Sequence, residues 1–195
     1  GWVRVLYEGQ GEPMVMQAGD CVLQPPMIRH RVLESSAGAE VVEIGTPAEH
    51  ITIAEHSLTL PSADLPPDHE FGGQRFVRHV AATAPWTAWR VPGFEYQDTG
   101  IGAATKGLAG ARVVRRAAGA DGAGAAQQHD TEFCFYFVLS GEADFCYGDE
   151  RLHLKSDDSI TVPATLRYTF GVASPDFTLL EVTLPDAVAL TEAVD

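Results

Sequence analysis

The two ends of this chain repeat one another. When the sequence is slid along itself by 138 places, Asp20 falls on Asp158, Pro25 on Pro163 and Arg29 on Arg167, and further along Ser36 falls on Ser174, Glu43 on Glu181 and Pro47 on Pro185, all without a gap. Between these identities Val22 meets Ile160, Val41 meets Leu179, Val42 meets Leu180 and Ile44 meets Val182, so strand positions stay apolar. The offset is far too long for a solenoid unit and reads as a duplicated domain. The copies are unequal. The second has a long lead-in from about residue 76 to Gly141, whereas Gly1 already stands where Gly141 stands in the second, allowing for a slightly longer hairpin. By the repeat offset, a full first copy needs roughly sixty more residues in front of Gly1. An open half-barrel exposes unpaired strand edges, so either the sequence is a piece of a longer chain or a neighbouring chain or segment covers that edge. The first residue is not Met, and the opening Gly-Trp-Val-Arg is strand-like rather than a charged-then-apolar leader.

The pattern between the turns is all-β. With 19 Gly and 12 Pro, short β-rich runs alternate with turn clusters. Strands are predicted over 3–7, 22–24, 41–44, 111–115, 133–139, 159–162 and 177–184, and short helices only over 185–194 and 48–54. The repeat sets the expected boundaries: 1–60 as one domain copy, 61–76 as a linker rich in Pro, Asp and Gly, 77–186 as the second copy, and 187–195 as a tail.

Charge and cysteine usage narrow the function classes. With 27 acidic residues against 13 basic ones and a formal net charge of −14, the chain repels phosphate backbones, so neither nucleic acid nor an anionic membrane is an expected partner. No run approaches the ~18 apolar residues that a membrane span needs. Cys21, Cys134 and Cys146 are odd in number and lack CxxC spacing, which argues against a disulfide framework and for a reducing, cytoplasmic setting. The glycines at 119, 122 and 124 lack the Lys-Ser/Thr of a phosphate cradle and read as a loop at a barrel mouth. No Gly-x-Ser-x-Gly occurs, so nucleophilic hydrolysis has no support.

Two short motifs carry a family resemblance. Gly19-Asp20 is followed by Pro25-Pro26-Met27-Ile28-Arg29-His30, and the later copy has Asp157-Asp158 followed by Pro163-Ala164-Thr165-Leu166-Arg167-Tyr168. Ahead of the later copy runs Gln127-Gln128-His129-Asp130-Thr131-Glu132-Phe133-Cys134, ending at Leu139-Ser140-Gly141. Together with the duplication these resemble the cupin superfamily. The resemblance covers about 1–60 and 77–186 and implies two jelly-roll type cupin β-barrels, a bicupin, with the first lacking its N-terminal strands. It also implies a divalent metal (iron, manganese, nickel or zinc) held by two His, a carboxylate and a further His. Residue by residue, His30 stands at the second-motif His of the first copy, and His129 at a first-motif His of the second. Gln127 replaces the other His, Cys134 stands in place of the Glu, and Tyr168 in place of the last His. His129, Glu132, Cys134 and, in a complete protein, His30 are the metal candidates; Gln127, Tyr136 and Tyr168 are the ligand-binding candidates. Cys134 also reads as a small apolar filler, and the cavity also reads as leftover polar groups around ordered water.

Strand alternation assigns directions to these side chains. Glu132, Cys134, Tyr136 and Val138 share one face, expected to line the cavity. Phe133, Phe135, Phe137 and Leu139 share the other, expected to pack on the other barrel or a dimer partner. By the same rule Ile28, His30 and Val32 line the first barrel, Leu166, Tyr168 and Phe170 line the second, and Arg29 and Arg167 point away. Trp86 and Trp89 form either an aromatic lid or domain packing. His50, His56, His69 and His79 show no paired spacing, and His153 is expected to face solvent. Three function classes follow: a bicupin that binds a small molecule, a metal-dependent dioxygenase-type oxidoreductase acting on a small, partly apolar aromatic acid, and a structural or regulatory homodimer whose sites have decayed. The acid is suggested by the apolar wall of Met14, Met16, Ile28 and Val32.

Overall fold

The computed structural model describes residues 1–49, 52–54, 56, 59–60, 65–66, 68–120 and 124–191. Its strands are β1 Trp2–Tyr7, β2 Met14–Gln17, β3 Cys21–Leu23, β4 His30–Ser35, β5 Glu70–Phe71, β6 Gln74–Arg75, β7 Val77–His79, β8 Thr87–Ala88 and β9 Phe94–Asp98. After the single-turn helix α1 Ile101–Ala104 come β10 Gly110–Arg116, β11 Gln128–His129, β12 Phe133–Ser140, β13 Glu142–Tyr147, β14 Glu150–Lys155, β15 Ser159–Thr161, β16 Tyr168–Ala173, β17 Thr178–Leu184 and β18 Leu190–Thr191. The all-β expectation holds. Two compact units result: Gly1–Asp20 with Gln24–Phe76, and Val77–Asp195 joined by Cys21–Leu23, since β3 pairs with β7.

The first unit is built on an antiparallel sheet of order β2-β1-β4, and the β5–β6 hairpin falls within the span expected as a linker. Val5, Leu6, Tyr7, Ile28 and Phe71 are buried. Glu8 is buried with them and would be costly as an isolated charge. It is satisfied by Arg29, whose Nε donates to Glu8 Oε2 at 2.8 Å and whose Nη2 meets Glu8 Oε1. Arg29 thus clamps the sheet, as its outward assignment suggested.

The second unit packs two sheets face to face. One has the order β15-β12-β17-β10-β9-β8 and the other β14-β13-β16. On β12 the burial alternates, with Cys134, Tyr136 and Val138 buried and Phe133, Phe135 and Phe137 half-buried. Tyr168 and Phe170 of β16 and Phe145 of β13 close the core from the other sheet. Full burial of side chains this large contributes about 1.5–3 kcal/mol each, so the aromatic interior is a large contributor to this unit's stability.

Part of the repeat reappears in the structure. β3 and β15, and β4 and β16, occupy residues related by the sequence offset, and the sheet orders β2-β1-β4 and β14-β13-β16 correspond. The turns match as well. Met27 and Thr165 both take positive φ, at 67° and 68°. The amide of Trp2 donates to Ser36 Oγ at 2.9 Å, and that of Glu142 to Ser174 Oγ at 3.0 Å. Asp20 Oδ2 accepts the Gln17 amide at 3.0 Å, as Asp158 Oδ2 accepts that of Lys155 at 2.9 Å. The turn glycine matters at Gly141 (φ 69°), where a Cβ would stand 2.5 Å from Ser174 Oγ and 2.7 Å from the Phe177 amide nitrogen.

Some expectations need correction. The strand expected over 41–44 does not form: Val41 is 73% exposed, and Val42 and Ile44 are exposed as well. Its counterpart β17 lies between β10 and β12, and the described residues of the first unit supply no strands equivalent to those two. A strand without ladder partners has nothing to hold it extended. For the same reason His30 and Val32 are exposed rather than lining an enclosed face, with Ile28 buried and Met14 and Met16 half-buried. The helix expected over 185–194 gives way to bends and β18, which pairs with β11, as far as residue 191. His50, residues 121–123 of the glycine loop, part of the helix expected over 48–54, part of the linker and residues 192–195 lie outside the described residues.

Candidate functional site

The interior of the second unit holds a polar network in an aromatic shell. Three side chains form a row across the larger sheet, because Tyr136 on β12 is the register partner of Glu181 on β17, and Glu181 is the register partner of Arg112 on β10. Facing them from the other sheet is Tyr168, whose hydroxyl lies 2.8 Å from that of Tyr136. Arg90, in the segment between β8 and β9, reaches into the same space. Its Nη1 donates to Glu181 Oε2 at 2.9 Å and its Nη2 to the Tyr136 hydroxyl at 2.9 Å, while Nη2 also meets Glu181 Oε1. Arg112 adds a second cation 3.5 Å from Glu181 and pairs in turn with Asp186 at 2.6 Å.

The electrostatics follow from burial. Tyr136, Tyr168, Cys134, Glu181 and His129 are each no more than 1% exposed. A carboxylate there needs full pairing, and the two guanidinium groups provide it. Burial pulls the Arg90 guanidinium down, but the Glu181 carboxylate more than offsets this and holds it above the usual arginine value. Burial pushes the Tyr168 phenol up to about 12 and the Cys134 thiol up to about 11, and raises Tyr136 as well. All three are neutral at ordinary pH. His129 is lowered, first by burial and then by the Arg90 cation, so it is a neutral imidazole.

Next to the network lies an unsatisfied polar patch. Gln127 and His129 are two residues apart with both side chains buried, and Gln127 forms a β-bridge with Tyr168. The His129 Nδ1 lies 2.7 Å from Thr131 Oγ1, which leaves Nε2 as the other ring nitrogen. Among the described residues, Gln127 Nε2 and Oε1, His129 Nε2, Arg90 Nε and Trp89 Nε1 are buried without a hydrogen-bond partner. Native interiors leave few such atoms, and each costs about 1–3 kcal/mol if nothing meets it.

The expected site residues separate in the structure. Gln127, His129, Tyr136, Tyr168 and Cys134 come together in the second unit, whereas Glu132 is exposed just before β12. His30 lies in the first unit, exposed and stacked on Tyr7 at 5.5 Å between ring centroids. Trp89 is part of the core, its ring 4.3 Å from the Arg90 guanidinium carbon, and Trp86 takes a similar contact from Arg115 at 3.7 Å. His79 is buried beside Gln97. His153 is exposed between Asp144 and Glu142. Sequence reasoning missed Arg90 and Glu181. Glu181 had a signal: it is a charge on the same face as Leu179 and Thr183 in an otherwise apolar strand, and it recurs as Glu43. Arg90 had none, because its partner is far away in sequence.

Residues 112–182, within the second unit, match the family model of the cupin domain. No curated protein matches the chain in sequence. Among solved structures, the polyketide cyclase RemF from Streptomyces resistomycificus superimposes with a TM-score of 0.51 at 14% identity, covering 60% of this chain and 84% of that one. KdgF from Halomonas sp. gives 0.46 at 19%, covering 54% and 92%. The DMSP lyase DddQ from Ruegeria pomeroyi gives 0.46 at 22%, covering 57% and 61%. The likeness to the cyclase shows a shared fold and nothing finer.

A divalent metal, which the resemblance implies, does not fit the residues present. Among the described residues no three of His, Cys, Asp or Glu stand together so as to hold one. Near His129 the available donors are neutral phenols and a protonated thiol, and the Glu181 charge is already paired with Arg90. A metal wants converging anionic or imidazole donors. Here a guanidinium supplies the central positive charge.

Proposed function

We propose that this chain is a two-cupin protein that binds a small molecule inside its second barrel. The observation that carries the reading is the buried Gln127 amide, whose nitrogen and oxygen both lack partners, close to the Tyr136–Tyr168 pair. Buried polar atoms of this kind are met by ordered water or by ligand, and a mostly apolar, aromatic chamber with a few fixed polar groups is the usual make-up of a small-molecule site. The recurrence of strands, turns and side-chain caps between the two units supports the two-cupin reading. The first unit contributes Tyr7, Gln24 and His30 at the equivalent face, with Gln24 donating to the Tyr7 hydroxyl at 2.8 Å. Binding is the function assigned, and no bond-making step is derived from these residues.

The test is a thermal-shift screen of a small-molecule library against the wild type and Gln127→Met. Compounds that stabilise the wild type and lose that effect in the variant support the reading. Hits that stabilise both proteins equally place binding elsewhere and contradict it.

A further inference from the structure

The first unit exposes the positions that the second unit buries. Phe170 of β16 and Leu179 and Glu181 of β17 are each no more than 1% exposed. Their counterparts by the sequence offset are Val32, Val41 and Glu43, and all three are exposed, Val32 at 59% and Val41 at 73%. Val42 and Ile44, the counterparts of Leu180 and Val182, are exposed as well. In the run Glu40-Val41-Val42-Glu43-Ile44 apolar residues fall on both of the faces that an extended strand has. That is the composition of a strand buried on both sides, and here it lies in the open.

The carboxylates add a second condition. In β17, Glu181 is paired with Arg90 and with Arg112, its register partner on β10. Glu43 recurs at the Glu181 position, yet among the described residues neither Glu40 nor Glu43 has an ion-pair partner. Carried over by the offset, the register of β10 on β17 sets Arg112 opposite Glu43, Val113 opposite Val42, Val114 opposite Val41 and Arg115 opposite Glu40. A strand of this kind laid on residues 40–46 brings arginine to both carboxylates and apolar side chains to both valines. Opposite charges directly across a strand pair are favourable, and like charges are not.

We propose that residues 40–46 are a strand-docking site, occupied by an extended polypeptide strand from outside residues 1–195 that carries an arginine opposite Glu43. Main-chain hydrogen bonds along 40–46 supply the affinity, and the Glu43 carboxylate selects a basic strand. A second copy of this chain fits the site poorly. Its own β10 is already paired on both sides, with β9 and β17. Pairing 40–46 of one copy with 40–46 of another supplies no cation to either glutamate, and two chains of net charge −14 repel one another.

The probe is a synthetic peptide with the sequence of residues 109–117, which includes Arg112 and Arg115. It is titrated at neutral pH and low salt into the intact chain, and the backbone amide signals of residues 40–46 are followed by NMR. The expected result is saturable binding, with shifts and slowed amide exchange centred on 40–46. The same peptide with Arg112→Glu should bind about fivefold more weakly or worse, and the chain variant Glu43→Arg should reverse that preference. Glu43 is exposed, so its substitution costs little in the free chain. Absence of saturable shifts at millimolar peptide, equal binding of the two peptides, or shifts centred on β17 each overturn the proposal. Protection of 40–46 that rises with chain concentration in the absence of peptide assigns the segment to a second copy, and overturns it too.

Discussion

Arg90→Met tests whether the Arg90–Glu181 pair organises the second unit. The Glu181 side chain is 0% exposed and that of Arg90 15% exposed, so the substitution leaves a buried carboxylate without its main partner. Removing one member of a buried pair costs about 3–5 kcal/mol. Arg112 remains 3.5 Å away and recovers part of this, so the expected loss is roughly 2–4 kcal/mol. At about 2–4 °C per kcal/mol for a chain of this length, the melting temperature should fall by roughly 4–16 °C. Arg90→Met combined with Glu181→Leu removes both charges and should recover most of the loss, because a well-packed apolar pair can replace a buried ion pair at little cost. Arg112 keeps its partner Asp186 in that double variant. The assay is urea unfolding followed by tryptophan fluorescence in a Trp2→Phe background, so that the signal comes from Trp86 and Trp89, both in the second unit. A loss below about 1 kcal/mol in Arg90→Met, or a double variant no more stable than the single one, would refute the argument.

Two further outcomes follow from the charges and thiols. Hydrogen bonding to Arg29 holds the Glu8 carboxyl below its usual range despite burial. A depressed folded value gives stability that is present above the unfolded value and lost as pH falls through the folded one. Protection of the β1 amides, taken as exchange relative to the unfolded-peptide rate at each pH, should therefore fall as pH drops from about 5 toward 3, and Glu8→Gln should flatten that dependence; an unchanged protection profile would contradict the clamp. Cys134 is 0% exposed with its thiol pushed up to about 11, whereas Cys21 and Cys146 are half-buried. At pH 8 a thiol reagent should modify Cys21 and Cys146 readily and reach Cys134 only in denaturant, because the thiolate is the reactive form. Rapid modification of Cys134 in the folded protein would show that the interior is open.

The correspondence between the β2-β1-β4 and β14-β13-β16 sheets was legible because identities at turns and apolar residues in strands are local constraints, seen as Asp20/Asp158, Pro25/Pro163 and the paired positive-φ residues Met27 and Thr165. Strand alternation correctly turned Cys134, Tyr136 and Tyr168 inward. It failed at Val41, Val42 and Ile44, because apolar alternation reports the capacity to pair and not the presence of a partner strand. The site was half legible. Motif positions singled out Gln127 and His129, whereas Arg90, the cation of the neighbouring Tyr136–Glu181 network, came from a segment without a sequence cue to its role. Long-range pairing of single charges leaves no periodic trace, so Arg90 and Glu181 had to be found in three dimensions.

The central claim is that Gln127 faces a ligand and not a structural partner. It is tested most directly by the unfolding free energy of ligand-free Gln127→Met against wild type. Because both amide atoms are buried without partners, the account predicts that the variant is more stable, by about 1–2 kcal/mol, since an apolar side chain removes an unmet desolvation cost. A loss of stability of the same size would mean that Gln127 is held by structural hydrogen bonds, and would contradict the account.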